Sequence, residues 1–129
     1  MEDLEKKFNK KFLILINLLV SKNKNNPEIL TLRDKFISVK KHTPNQIIQA
    51  TGPRLWKYRE QISEGNAEFF LGKDITEFTE KSEEINETAK ELFPKFQKMY
   101  SDATESEKAL VIKTTKSLLS IYAKYLSIS

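Results

Sequence analysis

The stretch LEKKFNKKFLILINLLVSK, Leu4 to Lys22, decides how the rest of the chain is read. It holds the longest apolar run, FLILINLLV from Phe12 to Val20, which is nine residues against the roughly 20 that a bilayer-spanning helix needs. A secretory leader is not expected either: the chain opens MEDLEKK and the run passes into SKNKNN with no small-residue cleavage site. What remains is an amphipathic helix from about Glu2 to Ser21. Leu4, Phe8, Phe12, Leu15 and Leu19 recur at spacings of four, four, three and four, which stacks them on one face. Leu13, Ile16 and Val20 widen that face towards the end, as expected for a helix central to a bundle.

The same period continues along the chain. Asn26, Pro27 and Glu28 form an N-cap, a first-turn proline and a first-turn acid, and they start a second helix to about His42 with Ile29, Leu32, Phe36 and Val39 inward. At TPNQII, Thr43 is expected to cap and Pro44 to start a third helix that buries Ile47 and Ile48. Pro53 lacks an amide proton and disfavours helical geometry at Gly52, so this helix is expected to kink or restart near Pro53. Leu55, Tyr58 and Ile62 then face inward, Trp56 and Arg59 flank them, and Gly65 ends the run. AEFFLGKD reads as a short helix closed by Gly72. A long polar helix is expected from Ile75, or from nearer Ser82, to Tyr100, bent at Pro94, with Phe78, Ile85, Ala89, Leu92, Phe96 and Met99 or Tyr100 inward. Thr104 and Glu107 carry a capping-box signature for the last helix, whose expected stripe is Ala109, Ile112, Leu119, Tyr122 and Leu126. No alternating strand pattern and no internal repeat is present, so the expected fold is all-α: one helical domain over residues 1–129, a compact bundle of about five helices plus one short helix.

The chemistry-bearing residues are sparse. Without cysteine there is no disulfide, thiolate metal site or cysteine nucleophile, and an intracellular, non-secreted protein is expected. The single histidine, His42, ends a helix, where an imidazole ordinarily caps carbonyls, and no serine lies in a nucleophile-elbow frame. Gly52, Gly65 and Gly72 are too dispersed for a phosphate-cradling loop. Glu80, Glu84, Glu87 and Glu91 fall on one helical face as a solvated stripe does, with no histidine at metal-ligand spacing. No catalytic, cofactor or metal site is therefore expected, and the chain is read as a non-enzyme.

Two binding surfaces remain. Residues 1–60 carry 13 Lys and Arg against 6 Asp and Glu, while residues 61–129 carry 9 against 12, so the net +4 is distributed +7 and −3. Lys6, Lys7, Lys10, Lys11, Lys40, Lys41, Arg54, Lys57 and Arg59 could face a nucleic-acid backbone if their surfaces meet. The corner TGPRLWKYREQISEGNAEFFLGKD, Thr51 to Asp74, gathers the only tryptophan, all three glycines and two adjacent phenylalanines. Trp56, Arg59, Phe69 and Phe70 are of the types that anchor protein interfaces, although large side chains at such a corner also plug the end of a bundle. The leading expectation is a protein-interaction module whose partner is another protein or a second copy; the alternative is a nucleic-acid-binding protein.

Several of these segments together resemble a known group. FLILINLL, NPEILTLRDKF, TPNQII, WKYREQI, EFFLGKD and a last helix TESEKALVIKTTKSLLSIYAKYL, in that order, are similar to short proteins encoded by giant (nucleocytoplasmic large) DNA viruses of algae and protists. The most specific piece is the arrangement of Tyr58, Ile62, Phe69, Phe70, Leu71 and Asp74. The chain departs from that pattern in its last helix, where those proteins often carry tryptophan or further aromatics and this one has Tyr122 and Tyr125. The resemblance implies no activity, only a setting: a viral protein acting in an infected cell or packed in a virion.

Overall fold

A computed structural model describes residues 2–65 and 94–128, and the helices are all-α with no strand among those residues. Helix α1 spans Glu2–Lys22, α2 Pro27–His42, α3 Asn45–Lys57 and α4 Arg59–Ser63. The described part of α5 is residues 94–102, and α6 spans Glu105–Ile128. The expected short helix at AEFFLGKD, the long acidic helix before Pro94 and any bend there lie outside the described residues.

Helix α1 is central, as its apolar width predicts. Phe8, Phe12, Leu15, Ile16 and Leu19 are buried, and α1 packs against α2, α3 and α6. The Phe12 ring lies 5.3 Å from that of Phe36 on α2 and 6.3 Å, edge to face, from that of Phe96 on α5. Between α1 and α2 the chain turns on its asparagines: Asn23 Nδ2 donates to Leu19 O at 2.9 Å, and Asn26 Oδ1 accepts from Glu28 N at 3.0 Å just before Pro27. The N-cap read from NPE is therefore made as expected, and the two helices form an antiparallel hairpin.

At the other end of that hairpin the expected cap is reassigned. Thr43 ends α2, its amide donating to Val39 O at 2.8 Å and its hydroxyl to the same carbonyl at 3.3 Å. Helix α3 then begins at Asn45 with Pro44 before it and no side-chain cap. Asn9, buried on α1, donates its amide Nδ2 to Pro44 O at 3.0 Å, which ties this corner to the central helix without replacing the missing cap acceptor.

Helix α3 runs unbroken through Pro53, so the expected kink is not needed there. The clash that makes a pre-proline residue avoid helical geometry arises largely at its Cβ, and Gly52 has none. Burial of Thr51, Gly52, Arg54 and Leu55 on both sides of the proline holds the turn in place. The chain breaks instead at Tyr58, with φ −105° and ψ 23°, and the five-residue α4 follows. Gly65 closes α4 at φ 90°, a left-handed conformation that only glycine adopts without strain, and its amide donates to Ile62 O at 2.9 Å.

The last helix is rotated from its expected register. Val111, Thr114, Thr115, Leu118, Tyr122 and Tyr125 are buried, while Ala109 and Leu126 are exposed and Ile112 and Leu119 only partly covered. The cause is threonine. Thr115 donates its hydroxyl to Val111 O at 2.7 Å, one turn back, so its polar atom is satisfied inside the helix and its methyl faces the core. Thr51 does the same to Ile47 O at 2.7 Å.

The capping box forms in full: Glu107 N donates to Thr104 Oγ1 at 3.2 Å and Thr104 N to Glu107 Oε1 at 2.9 Å. Lys22 Nζ, at the end of α1, reaches the same carboxylate oxygen at 2.7 Å, which sets α6 antiparallel to α1. Lys22 first, and the Thr104 amide next, hold the Glu107 carboxyl below the usual carboxylate range. A depressed folded-state value means that the unfolded chain binds the proton more readily. The stabilisation is therefore present above the ordinary carboxylate value of about 4.3 and is lost as pH falls through the lowered one. In acid titrations of thermal unfolding, Glu107→Gln is expected to flatten the fall in stability below that ordinary value; an acid limb unchanged from the parent's would show that the box and its lysine do not contribute.

A candidate protein-docking groove between α4 and α6

The break at Tyr58 leaves Trp56 and Arg59 three residues apart on the outer side of the α3–α4 junction. Trp56 is 40% exposed, the largest side chain with that much free surface among the described residues. The Arg59 guanidinium lies 4.7 Å from the Trp56 ring centre, and Arg59 Nη1 donates to Trp56 O at 2.8 Å. One residue is thus held by both a cation–π contact and a backbone hydrogen bond, so the indole presents a defined face. A cation–π contact at an exposed position contributes about 0.5–1 kcal/mol, which is small for the fold but enough to bias a side-chain rotamer.

Beside this pair runs an open groove of about 780 Å³. Trp56, Leu119 and Ala123 supply its apolar surface; Arg59, Glu60, Ser63 and Glu64 lie along one rim, and Lys116 and Ser120 along the other. Leu119 and Ala123, four apart on α6, reach the groove because the threonine-filled core turns them away from the interior. No ion pair engages Glu60, Glu64 or Lys116 among the described residues. Among the described residues the groove therefore has an apolar floor and rims whose charges form no ion pair.

The structure divides the other sequence candidates. Arg54 is 4% exposed, with its guanidinium 5.4 Å from the Tyr58 ring centre, so it is removed from the set that could meet a phosphate backbone. Leu55 and Ile62, flanking that corner, are buried, and the arginine is drawn in with them. Lys57 is exposed but lies 5.5 Å from the same Tyr58 ring. Lys6, Lys7, Lys10, Lys11 and Lys41 are exposed and Lys40 partly so, all at the end of the bundle where α1 begins and α2 ends. Phe69 and Phe70 lie outside the described residues. His42 is exposed in the last turn of α2. Among the described residues no group of three or more His, Cys, Asp and Glu side chains is placed to hold a metal, and no helix is long and apolar enough to cross a membrane.

Comparison of the chain with protein-family models, with curated proteins and with solved structures returned no match.

Proposed function

We propose that the chain is a non-enzymatic helical interaction module that seats one amphipathic helix of a partner protein in the Trp56 groove, as an accessory or minor structural component of a larger assembly. The observation that carries this reading is the half-exposed Trp56 fixed by Arg59 at the groove mouth. Tryptophan and arginine are the types most enriched among residues that dominate binding energy, and holding them in place beforehand lowers the ordering cost of association. The unmatched rims specify the occupant: basic side chains opposite Glu60 and Glu64, an acidic one opposite Lys116, and an apolar stripe against Leu119 and Ala123. The viral setting implied by the resemblance is compatible with such a component.

A photoreactive residue placed at Ser120, on the groove rim, tests the reading in native material. A discrete adduct with a second protein is expected, and it should vanish in Glu60→Lys/Glu64→Lys, where like charges now face each other at a cost of about several kcal/mol. Both glutamates are exposed, so the melting temperature of that variant should change little, within about 0.5 kcal/mol of stability. An adduct of twice the chain's own mass would reassign the occupant to a second copy. No adduct, or one indifferent to the charge reversal, would overturn the docking role.

A further inference from the structure

Apart from the groove, one surface has a composition that the proposed docking role does not use. From Lys6 to Pro27 the chain has no acidic residue, and from Lys35 to Arg59 it again has none. The antiparallel α1–α2 hairpin folds the basic parts of these two runs onto one end. Phe12 stacks on Phe36; one turn further out lie Lys10 and Lys11 beside Phe8 on α1, and Lys40 and Lys41 on α2. The bond from Asn9 to Pro44 O holds the end of α2 against α1 between Lys6 and Lys10. No ion pair among the described residues engages Lys6, Lys7, Lys10, Lys11, Lys40 or Lys41. By contrast, Lys22 and Lys95, elsewhere in the bundle, are paired with Glu107 and Glu28. Among the described residues these six cations have no ion-pair partner, and the acids next to them in sequence are Glu2, Asp3 and Glu5 in the first turn of α1, so the corner carries an excess of positive charge.

We infer that this lysine corner is a binding surface for the phosphate backbone of a nucleic-acid duplex, read without sequence preference. On α1 the pairs Lys6–Lys10 and Lys7–Lys11 each advance four residues, a rise of about 6 Å, which spaces two cations along a phosphate strand. The site lacks what a membrane surface would require: Phe8, between its lysines, and Phe12, directly after them, are buried in the core and are not free to insert among acyl chains. Among the described residues it also has no exposed aromatic beside the lysines to serve as a platform for unpaired bases, so duplex backbone is favoured over single strands. This surface is separate from the Trp56 groove, and Arg54, once buried, has no part in it.

The test is titration of the full chain against a labelled duplex of about 20 base pairs at about 50 and about 200 mM salt. With four to six phosphate contacts, affinity should fall roughly 10²- to 10³-fold between the two salts. Lys6→Gln/Lys10→Gln should reduce the slope of log affinity against log salt by about 1.8, two contacts' worth. Lys24→Gln/Lys98→Gln, exposed and at the opposite end beside Lys22 and Asn23, should leave it unchanged. Glu60→Lys/Glu64→Lys should not abolish duplex binding, so failure of the groove reading and failure of this one are told apart. Absence of binding at the lower salt, equal loss in both lysine pairs, or tighter binding to phosphatidylserine vesicles than to the duplex would each refute the assignment.

Discussion

Phe12→Ala is expected to lower the free energy of unfolding by about 3–5 kcal/mol, the usual cost of emptying a core phenylalanine site. The ring is 2% exposed and meets three others from three helices: Phe8 on α1, Phe36 on α2 and Phe96 on α5. Two of these contacts are near-parallel stacks and one is edge to face, geometries that add about 0.5–1.5 kcal/mol each beyond buried area. A helix cannot slide inward to fill the space, because Asn9 and Lys22 tie α1 at either side to Pro44 and Glu107. Against a total stability of about 5–15 kcal/mol, the loss is a large fraction, and denaturant midpoints should shift accordingly. Phe12→Leu, which keeps most of the volume, should cost a minor part of it. A loss below about 1 kcal/mol for the alanine variant would mean that α1 is not the helix around which the others assemble.

The helix pattern was readable from sequence wherever the deciding signal is local. NPE specifies a cap and a first turn within three residues, and Thr104 with Glu107 specifies the capping box. The α1 stripe was readable because its core residues are large, apolar and periodic. The register of α6 was not, since Thr114 and Thr115 count as polar in any periodicity yet bury themselves. Thr115 is compensated by a hydrogen bond inside the helix, a feature of backbone geometry rather than composition. The site shows the same division. Trp56 and Arg59 could be paired from their spacing of three, whereas Leu119 and Ala123 opposite them follow only from the rotated α6. The basic cluster was over-read for a related reason: charge alone does not reveal that Arg54 turns inward onto Tyr58.

Gly52→Ala sets intrinsic helix propensity against the neighbours of this one position. Inside a helix, alanine is favoured over glycine by about 1 kcal/mol, so propensity taken alone would make the variant more stable, although a Cβ here also restores part of the clash with Pro53 that glycine avoids. The fold makes it less stable. A Cβ at residue 52 would lie 2.7 Å from Tyr122 Cζ and nearer still to Cδ1 and Cε1, overlapping the ring that closes on this glycine. Tyr122 cannot easily move aside: it is buried, and its ring stacks on Tyr125 at 6.1 Å, whose hydroxyl accepts from Gln49 Nε2 at 3.3 Å. Overpacking of this kind costs about 1–3 kcal/mol after relaxation. The net expectation is destabilisation, with Tyr122 pushed from its site. Burial first, and the neighbouring Tyr125 second, raise the Tyr122 phenol above its ordinary value. Displacement of the ring towards water should therefore bring its ultraviolet titration down towards that of a free phenol. Replacing the ring removes the conflict, so Gly52→Ala/Tyr122→Ala should be less destabilised than the sum of its two single variants, by the roughly 0.5–3 kcal/mol that contacting residues share. Additive losses, or a Gly52→Ala variant that melts higher than the parent, would mean that α3 and α6 do not approach at this glycine. The α6 wall of the Trp56 groove would then be misplaced as well, because Leu119 and Ala123 are set by the same approach.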